Sequence, residues 1–511
     1  MSEFVPTLEQ QVIIGAPLAP LRVAAGAGTG KTTTLAYRVA AMIDTHHLRP
    51  DQVLGLTFTN KAAHELAARI HDVLGDRLEP GDAVEVSTYH GFAAAILHDH
   101  GIRIGVERSA SVVTPTFARQ LLLDAVTQAT FEYTDITSRR KVIGDLNKLS
   151  ADLGDNLLTP RTLLAAAAHG DEIRSPPPDP DHVEAKRREY AGVLELYEMR
   201  KRVLDALDYA DLIRLAHEVV MTDAGVGDAI RSQYHLVLLD EYQDTNPAQR
   251  LLLQAVFASG LAVTAVGDRD QTIYEWRGAS LENFASFPEH FPSAEGAPAE
   301  TRNLTLNRRS GSNILEVANH VRTQISGPAP EPLRALDDTP PGSVSVSWFR
   351  TARQEAEGIA AELIRLHSEA GTAWKSMAVL FRKNKDIGLV RDALEDHGIP
   401  IQVANLGGLL TIPEVVELHA WLRVLADPED TPAFARLLMG SQHRVGMVDM
   451  RRLADWVRSQ DTEADTEDEE HLPQHTLVEA LEHLDEIDLS DDARAAIDSF
   501  VERHRRLLTV A

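Results

Sequence analysis

An α/β fold built on parallel sheets is the class this sequence predicts, on three observations. Short apolar runs alternate with segments whose apolar residues recur at helical spacing, which is how βαβ units read. A loop of small residues, Ala25-Gly26-Ala27-Gly28-Thr29-Gly30-Lys31-Thr32, joins one such run to the helix that follows it. Another run closes on two carboxylates, Asp240-Glu241, at the end of a parallel strand where functional side chains gather.

Taken in order, Leu21 to Ala25 reads as a buried strand and Thr32 to Ile43 as a helix. Between them, small residues let successive backbone N–H groups curve around phosphate oxygens, and the helix N-terminus adds its dipole. Ala25, Gly26, Ala27, Gly28, Thr29 and Gly30 then form a nucleotide cradle. Lys31 reaches the β- and γ-phosphates, and the Thr32 hydroxyl ligates Mg²⁺. The bland alternative is a Gly-rich turn with a surface lysine; the flanking strand and helix argue against it.

Val53 to Thr59 is the next strand, followed by a helix over Asn60 to Leu74. Ala83 to Tyr89 and a helix from His90 to Asp99 repeat the unit. From Phe117 to Met221 helix follows helix, broken by the Pro-rich Ser175 to Asp181, as an inserted subdomain would. Sheet patterning resumes at Tyr234 to Leu239 and Leu261 to Val266. A second, smaller sheet is expected from Ser343 to Phe349, Met377 to Phe381 and Ile399 to Val403. Beyond Pro428 the chain turns helical, interrupted by the acidic run Asp461 to Glu470, a solvated loop by composition. The expected domains are therefore 1–110, 111–225 (helical insert), 226–303, 304–428 and 429–511.

The chain has 511 residues, 44% of them hydrophobic and 25% charged, an ordinary globular composition spread over several domains. No apolar stretch is long enough to span a membrane, and Met-Ser-Glu-Phe-Val-Pro lacks the build of a signal peptide. There is no cysteine, so disulfides and thiolate metal sites are excluded, and a cytoplasmic location is expected. The formal net charge of −27 argues against a broad polyanion-binding surface. It leaves room for a groove that holds a single strand by base stacking.

A phosphate loop needs one carboxylate for the metal and another for the attacking water. Asp240 suits the first role and Glu241 the second; a solvated strand-end pair is the alternative. The residues that follow decide between them. Asp240-Glu241-Tyr242-Gln243-Asp244-Thr245-Asn246 closely resembles the second helicase motif of the UvrD/Rep-like superfamily 1 DNA helicases. Gly267-Asp268-Arg269-Asp270-Gln271-Thr272-Ile273-Tyr274-Glu275-Trp276-Arg277-Gly278-Ala279 resembles their third. Thr57 to Ala63, Thr88 to Phe92 and Leu207 to Ile213 are similar to further family motifs, in family order.

The resemblance implies two RecA-like motor domains, each with a helical insert, that close on ATP·Mg²⁺ and move 3′ to 5′ along single-stranded DNA. It implies roles for Gln10 at the adenine edge, Gln271 as γ-phosphate sensor and Arg309, in Leu306-Asn307-Arg308-Arg309-Ser310, as a cation for the transition state. Arg308 stands where the family usually stacks a tyrosine on adenine; a guanidinium can also lie flat on a base. Tyr274 and Trp276, two apart on a segment read as extended, share a face with Arg277 alongside, and Phe58 helps form a base pocket. Asn60 and Lys61 hold phosphates at a helix start, whereas His90 reads as structural.

Two later family motifs, one with a His and a Lys-Gly-Leu-Glu-type run and one with a second catalytic arginine, are not found. Phe381 to Asn384 and Gly407-Gly408 fit the first part of the second motor domain. The chain is thus expected to be the N-terminal part of a longer helicase, turning over poorly alone. Single-stranded DNA and strand junctions are the expected partners, with repair or helicase–nuclease proteins beside them. The competing readings are a motor subunit of a helicase–nuclease complex and a non-catalytic DNA-binding module.

Overall fold

The computed structural model describes residues 4–78, 82–136, 139–169, 180–258, 260–325, 331–403, 412–426, 430–463 and 477–508. Gly407-Gly408, most of Ser175 to Asp181 and most of the acidic run lie outside the described residues. Two compact units divide the chain, Met1–Ser345 and Val346–Ala511.

Among the described residues the strands are β1 (Leu21–Ala25), β2 (Val53–Thr57), β3 (Glu85–Thr88), β4 (Ser111–Val112), β5 (Ala206–Leu207), β6 (Leu236–Leu239), β7 (Ala262–Gly267), β8 (Glu300–Leu304), β9 (Leu306–Asn307) and β10 (Arg334–Ala335). A six-stranded sheet runs in the order β3-β2-β6-β7-β1-β8, while β4 pairs with β5 and β9 with β10. Every neighbour in the large sheet is parallel. All six carboxyl ends therefore open on one edge, and the loops after β1, β6 and β7 become neighbours there.

Continuous apolar strands are what a sheet covered on both faces requires. Leu236 and Leu238 of β6 point into the core beneath α2 (Lys31–His46) and α3 (Asn60–Leu74). Val237 and Leu239 point into the opposite core with α4 (Tyr89–His100). Helix α3 keeps its expected limits because the Thr59 hydroxyl caps it, accepting the Ala62 N–H. Ahead of the sheet, α1 (Leu8–Ile14) is closed by a capping box between Thr7 and Gln10. Arg38, fully buried on α2, donates to the carbonyls of Ile13, Ala16 and Pro17 and to Thr264 Oγ1. It thereby ties the segment after α1 to β7.

The helical insert is present as α5 (Pro115–Gln128), α6 (Arg139–Asp155), α7 (Pro160–His169) and α8 (Pro180–Val203) around their own core. It rejoins the sheet through α9 (Tyr209–Thr222), α10 (Ala224–Gln233) and, after β6, α11 (Pro247–Phe257). At the junction the buried Lys201 Nζ donates to Asp208 Oδ2 at 2.8 Å and Asp211 Oδ2 at 2.6 Å. These carboxylates raise its pKa against the pull of burial. Short helices α12 (Leu281–Ala285) and α13 (Phe287–His290) precede β8, and α14 (Ser312–Thr323) lies between β9 and β10.

In the second unit, α15 (Ala352–Ser368) and α16 (Ile387–Asp396) share a small core. Helices α17 (Pro413–Ala426), α18 (Thr431–Met439), α19 (Met447–Glu463), α20 (Leu477–Glu482) and α21 (Asp491–Leu508) form a helical cluster centred on Phe434 and Phe500. The strands expected at Ser343 to Phe349, Met377 to Phe381 and Ile399 to Val403 are not formed. Apolar alternation supplies a strand's two faces, but a strand exists only within a hydrogen-bonded ladder. None of these segments joins a ladder among the described residues. Val379, Phe381, Ile399 and Ile401 pack on the small core of α15 and α16 instead, and Trp348 and Leu380 are 92% and 93% exposed.

Candidate nucleotide site and aromatic shelf

The loop after β1 carries Gly28 and Gly30 at φ of +72° and +83°, a region open to glycine at little cost. A side chain at Gly28 would also strike Asn307 Nδ2 at 2.7 Å and Arg309 Cβ at 2.8 Å. Helix α2 starts at Lys31 with Gly30 as its cap and no side-chain capping bond. Its first-turn N–H groups face the loop, as an anion cradle requires.

Lys31 Nζ lies 3.0 Å from Glu241 Oε2. Glu241 has left-handed backbone angles, φ 49° and ψ 41°, an arrangement that costs energy and clusters at functional sites. Its N–H is held by Asp240 Oδ1 at 3.0 Å. Asp240 is almost fully buried, and burial, followed by the neighbouring Glu241 charge, pushes its carboxyl up to about 6. A buried carboxylate held this way gains most from a nearby cation, so Asp240 with Thr32 fits a divalent metal.

From Glu241 a chain of hydrogen bonds crosses the strand ends. Gln243 Nε2 donates to Glu241 Oε2 at 2.8 Å, and its Oε1 accepts the Asp268 N–H at 3.1 Å. Asp268 Oδ2 in turn accepts from Gln271 Nε2 at 2.6 Å. Lys31, Glu241 and Gln271 are thus joined through two residues to which the sequence reading assigned no role. Both sit in the quoted motifs, but only the parallel order of β6 and β7 brings them together.

The segment 305–310 folds against the phosphate loop. Asn307 Nδ2 donates to the Ala27 carbonyl at 2.5 Å, and the Arg308 N–H donates to the Gly28 carbonyl at 2.8 Å. Asn307 Oδ1 accepts the N–H groups of Arg309 and Ser310. Arg309 is thereby set beside the loop with an exposed side chain. Glu9 anchors the same segment, accepting from Thr305 N, Thr305 Oγ1 and Leu306 N at 2.7 to 3.1 Å. Gln10 Nε2 donates to the Thr29 carbonyl at 3.0 Å, and its Oε1 accepts from Thr7 N and Arg308 Nη2, each at 3.0 Å.

Around the corner, Phe58 stacks on Tyr274 with ring centroids 4.6 Å apart, and Tyr274 lies 6.4 Å from Trp276. The Arg277 guanidinium sits 4.6 Å above Trp276 and 5.4 Å above Tyr274. Trp276 is 71% exposed. The extended segment expected here is instead a 3₁₀ turn, Glu275–Arg277. The Gly278 N–H to Glu275 carbonyl bond closes this turn, and Tyr274 is placed by stacking on Phe58, with Trp276 tilted beside it, rather than by strand alternation. Asn60 and Lys61 are exposed at the start of α3, Lys61 Nζ lying 3.7 Å from Glu65. His90 meets Tyr209 edge-on at 5.7 Å, and burial lowers its pKa.

A parallel sheet with this loop after one strand and Asp-Glu closing another is the layout of the P-loop nucleotide-binding fold. The UvrD/REP helicase N-terminal domain matches residues 7–292, and the UvrD-like helicase C-terminal domain matches residues 302–502. The chain belongs to the UvrD/REP helicase family. Its α/β architecture is consistent with two RecA-like motor domains. The expectation of an N-terminal part alone is corrected, because the C-terminal domain is represented from residue 302 onward.

Among similar proteins, the ATP-dependent DNA helicase PcrA of Staphylococcus epidermidis is 28% identical over 506 residues, covering 98% of this chain and 63% of that protein. The protein of the same name from Staphylococcus aureus is 28% identical over 438 residues, covering 86% and 56%. The chain therefore spans 63% or less of the length of these relatives. Among the described residues no helix is long and apolar enough to cross a membrane.

Proposed function

We propose that this chain is an ATP-dependent DNA translocase and helicase that couples hydrolysis to 3′ to 5′ movement on single-stranded DNA in the cytoplasm, in repair or recombination. The observation that carries the reading is the bonded line Lys31–Glu241–Gln243–Asp268–Gln271, whose last member lies three residues before Tyr274. A change at the phosphates is thus delivered to the segment that carries the stacking rings.

Each residue has work that suits its place. The α2 N-terminus and Lys31 hold the β- and γ-phosphates. Thr32 and Asp240 would hold Mg²⁺, which spreads the negative charge of the transferring phosphoryl group when bound. Glu241 orients the attacking water and accepts its proton, and it can do so once phosphate draws Lys31 away. Gln271 and Arg309 supply donors toward the γ-phosphate, where charge develops. Phe58, Tyr274 and Trp276 stack bases without regard to sequence, and Arg277, Asn60 and Lys61 meet the backbone. An acidic protein can bind DNA by such a shelf because stacking, not net charge, provides the grip.

The test is a translocation assay on single strands carrying streptavidin at one end. Adding ATP is expected to speed release from the 5′ end only. Equal release from both ends, or none above the level without ATP, contradicts directed movement.

A further inference from the structure

The base end of the nucleotide site holds a polar arrangement that settles which bases it suits. This step rests on the nucleotide reading above. An amide oxygen has two lone pairs, and both on Gln10 Oε1 are engaged, by the Thr7 N–H and by Arg308 Nη2. The network leaves no freedom to flip the amide, since its oxygen faces two donors and its nitrogen faces the Thr29 carbonyl. One N–H of Gln10 remains. Arg308 is fixed in turn: Nη2 also donates to the Val5 carbonyl at 2.6 Å, and the guanidinium lies 5.0 Å above Phe4. Phe4 stacks on Tyr37 at 4.6 Å. Arg308 Nε is buried without a hydrogen-bond partner.

Among the described residues, the Gln10 amide and the Arg308 guanidinium therefore offer spare donors and no spare acceptor. Adenine shows an acceptor at N7 and a donor at its N6 amino group, so a glutamine that selects it must offer one of each. Guanine shows two acceptors, N7 and O6. Pyrimidines have no N7. We infer that this chain takes purine nucleoside triphosphates without preferring adenine, because Arg308 occupies the Gln10 oxygen that would otherwise recognise the adenine amino group. Arg308 is the specificity-determining residue, and the Phe4–Tyr37 stack holds its plane.

The experiment is competition against a ribose-labelled fluorescent ATP analogue in the presence of Mg²⁺, with ATP, GTP and CTP as competitors. GTP is expected to compete within about threefold of ATP, and CTP at least about tenfold more weakly, the scale of one good base contact. In Arg308→Tyr, which keeps a flat group but frees Gln10 Oε1, the ATP-to-GTP preference is expected to rise by about tenfold. An ATP preference of about tenfold in the parent overturns the inference while leaving the nucleotide site standing. CTP competing as well as GTP also overturns it, by showing that phosphate alone is read. Probe binding that Lys31→Ala leaves intact, or no binding at all, removes the nucleotide reading and the inference with it.

Discussion

Gln243 stands between the phosphate loop and the aromatic shelf, accepting the Asp268 N–H while donating to Glu241. The loop after β6 is thereby bonded to the loop after β7, and the bonded line ends at Gln271, three residues before Tyr274. Gly267 beside it has no room for a side chain, since a Cβ there would lie 2.6 Å from Gln243 Oε1.

Cutting this connection should separate binding from turnover. Gln243→Ala is expected to leave ATP affinity within about twofold and to lower hydrolysis by about 10²-fold, the cost of misplacing a catalytic group. Equilibrium titration beside steady-state hydrolysis checks it. Unchanged hydrolysis would show that Glu241 does not depend on Gln243.

The shelf predicts a loss confined to DNA. Trp276→Ala should weaken single-strand binding by ~1–3 kcal/mol, the worth of one stacked base. ATP affinity without DNA should not move. Fluorescence anisotropy with a labelled oligonucleotide measures the first and nucleotide titration the second. A Trp276→Ala protein that binds DNA like the parent would assign the exposed ring another role.

Arg38 is a structural group whose loss should unsettle the nucleotide site from behind. Burial lowers its pKa to about 10, so it stays charged at neutral pH with its donors spent on three carbonyls and a hydroxyl. The Ile13 and Pro17 carbonyls also accept the N–H groups of Ala16 and Ala19, so Arg38→Met leaves the Ala16 carbonyl and Thr264 Oγ1 without their donor, at about 1–3 kcal/mol for each that water cannot reach. Denaturant unfolding should show a loss of at least about 2 kcal/mol. A loss within about 0.5 kcal/mol, typical of surface changes, would contradict the placement.

Asp155, at the end of α6, gives a pH signature. Its Oδ1 accepts from Asn246 Nδ2 at 2.6 Å, and burial raises its carboxyl from 3.8 to about 6. The folded state thus holds this proton where the unfolded chain has released it. The ionised group destabilises the fold above about pH 6, and the penalty fades as pH falls toward 4. Asp155→Asn should be more stable than the parent at pH 8, with the difference shrinking between pH 6 and pH 4. Melting temperatures across that range check it; a constant difference contradicts the sign.

What the sequence made legible is local. The phosphate loop, Asp240-Glu241 and the helix Asn60–Leu74 follow from short patterns whose physical reasons lie within a few residues. The contacts between distant residues could not be read that way. Arg308 reaches Gln10 across 298 positions and Lys31 reaches Glu241 across 210, and each depends on strand order rather than on spacing. Spacing puts Tyr274 and Trp276 side by side on an extended strand, whereas a 3₁₀ turn at Glu275–Arg277 closed by Gly278 brings the same rings to 6.4 Å. Residues 343–349 show the reverse failure, a strand pattern with no ladder to join.

Steady-state ATP hydrolysis with and without single-stranded DNA, run beside Glu241→Gln, tests the account at its centre. DNA is expected to stimulate the parent. The variant should still bind ATP while losing about 10²–10⁴ in rate, the usual share of a general base. Hydrolysis that ignores DNA, or that survives in Glu241→Gln, would contradict a motor whose phosphate site and stacking shelf work as one.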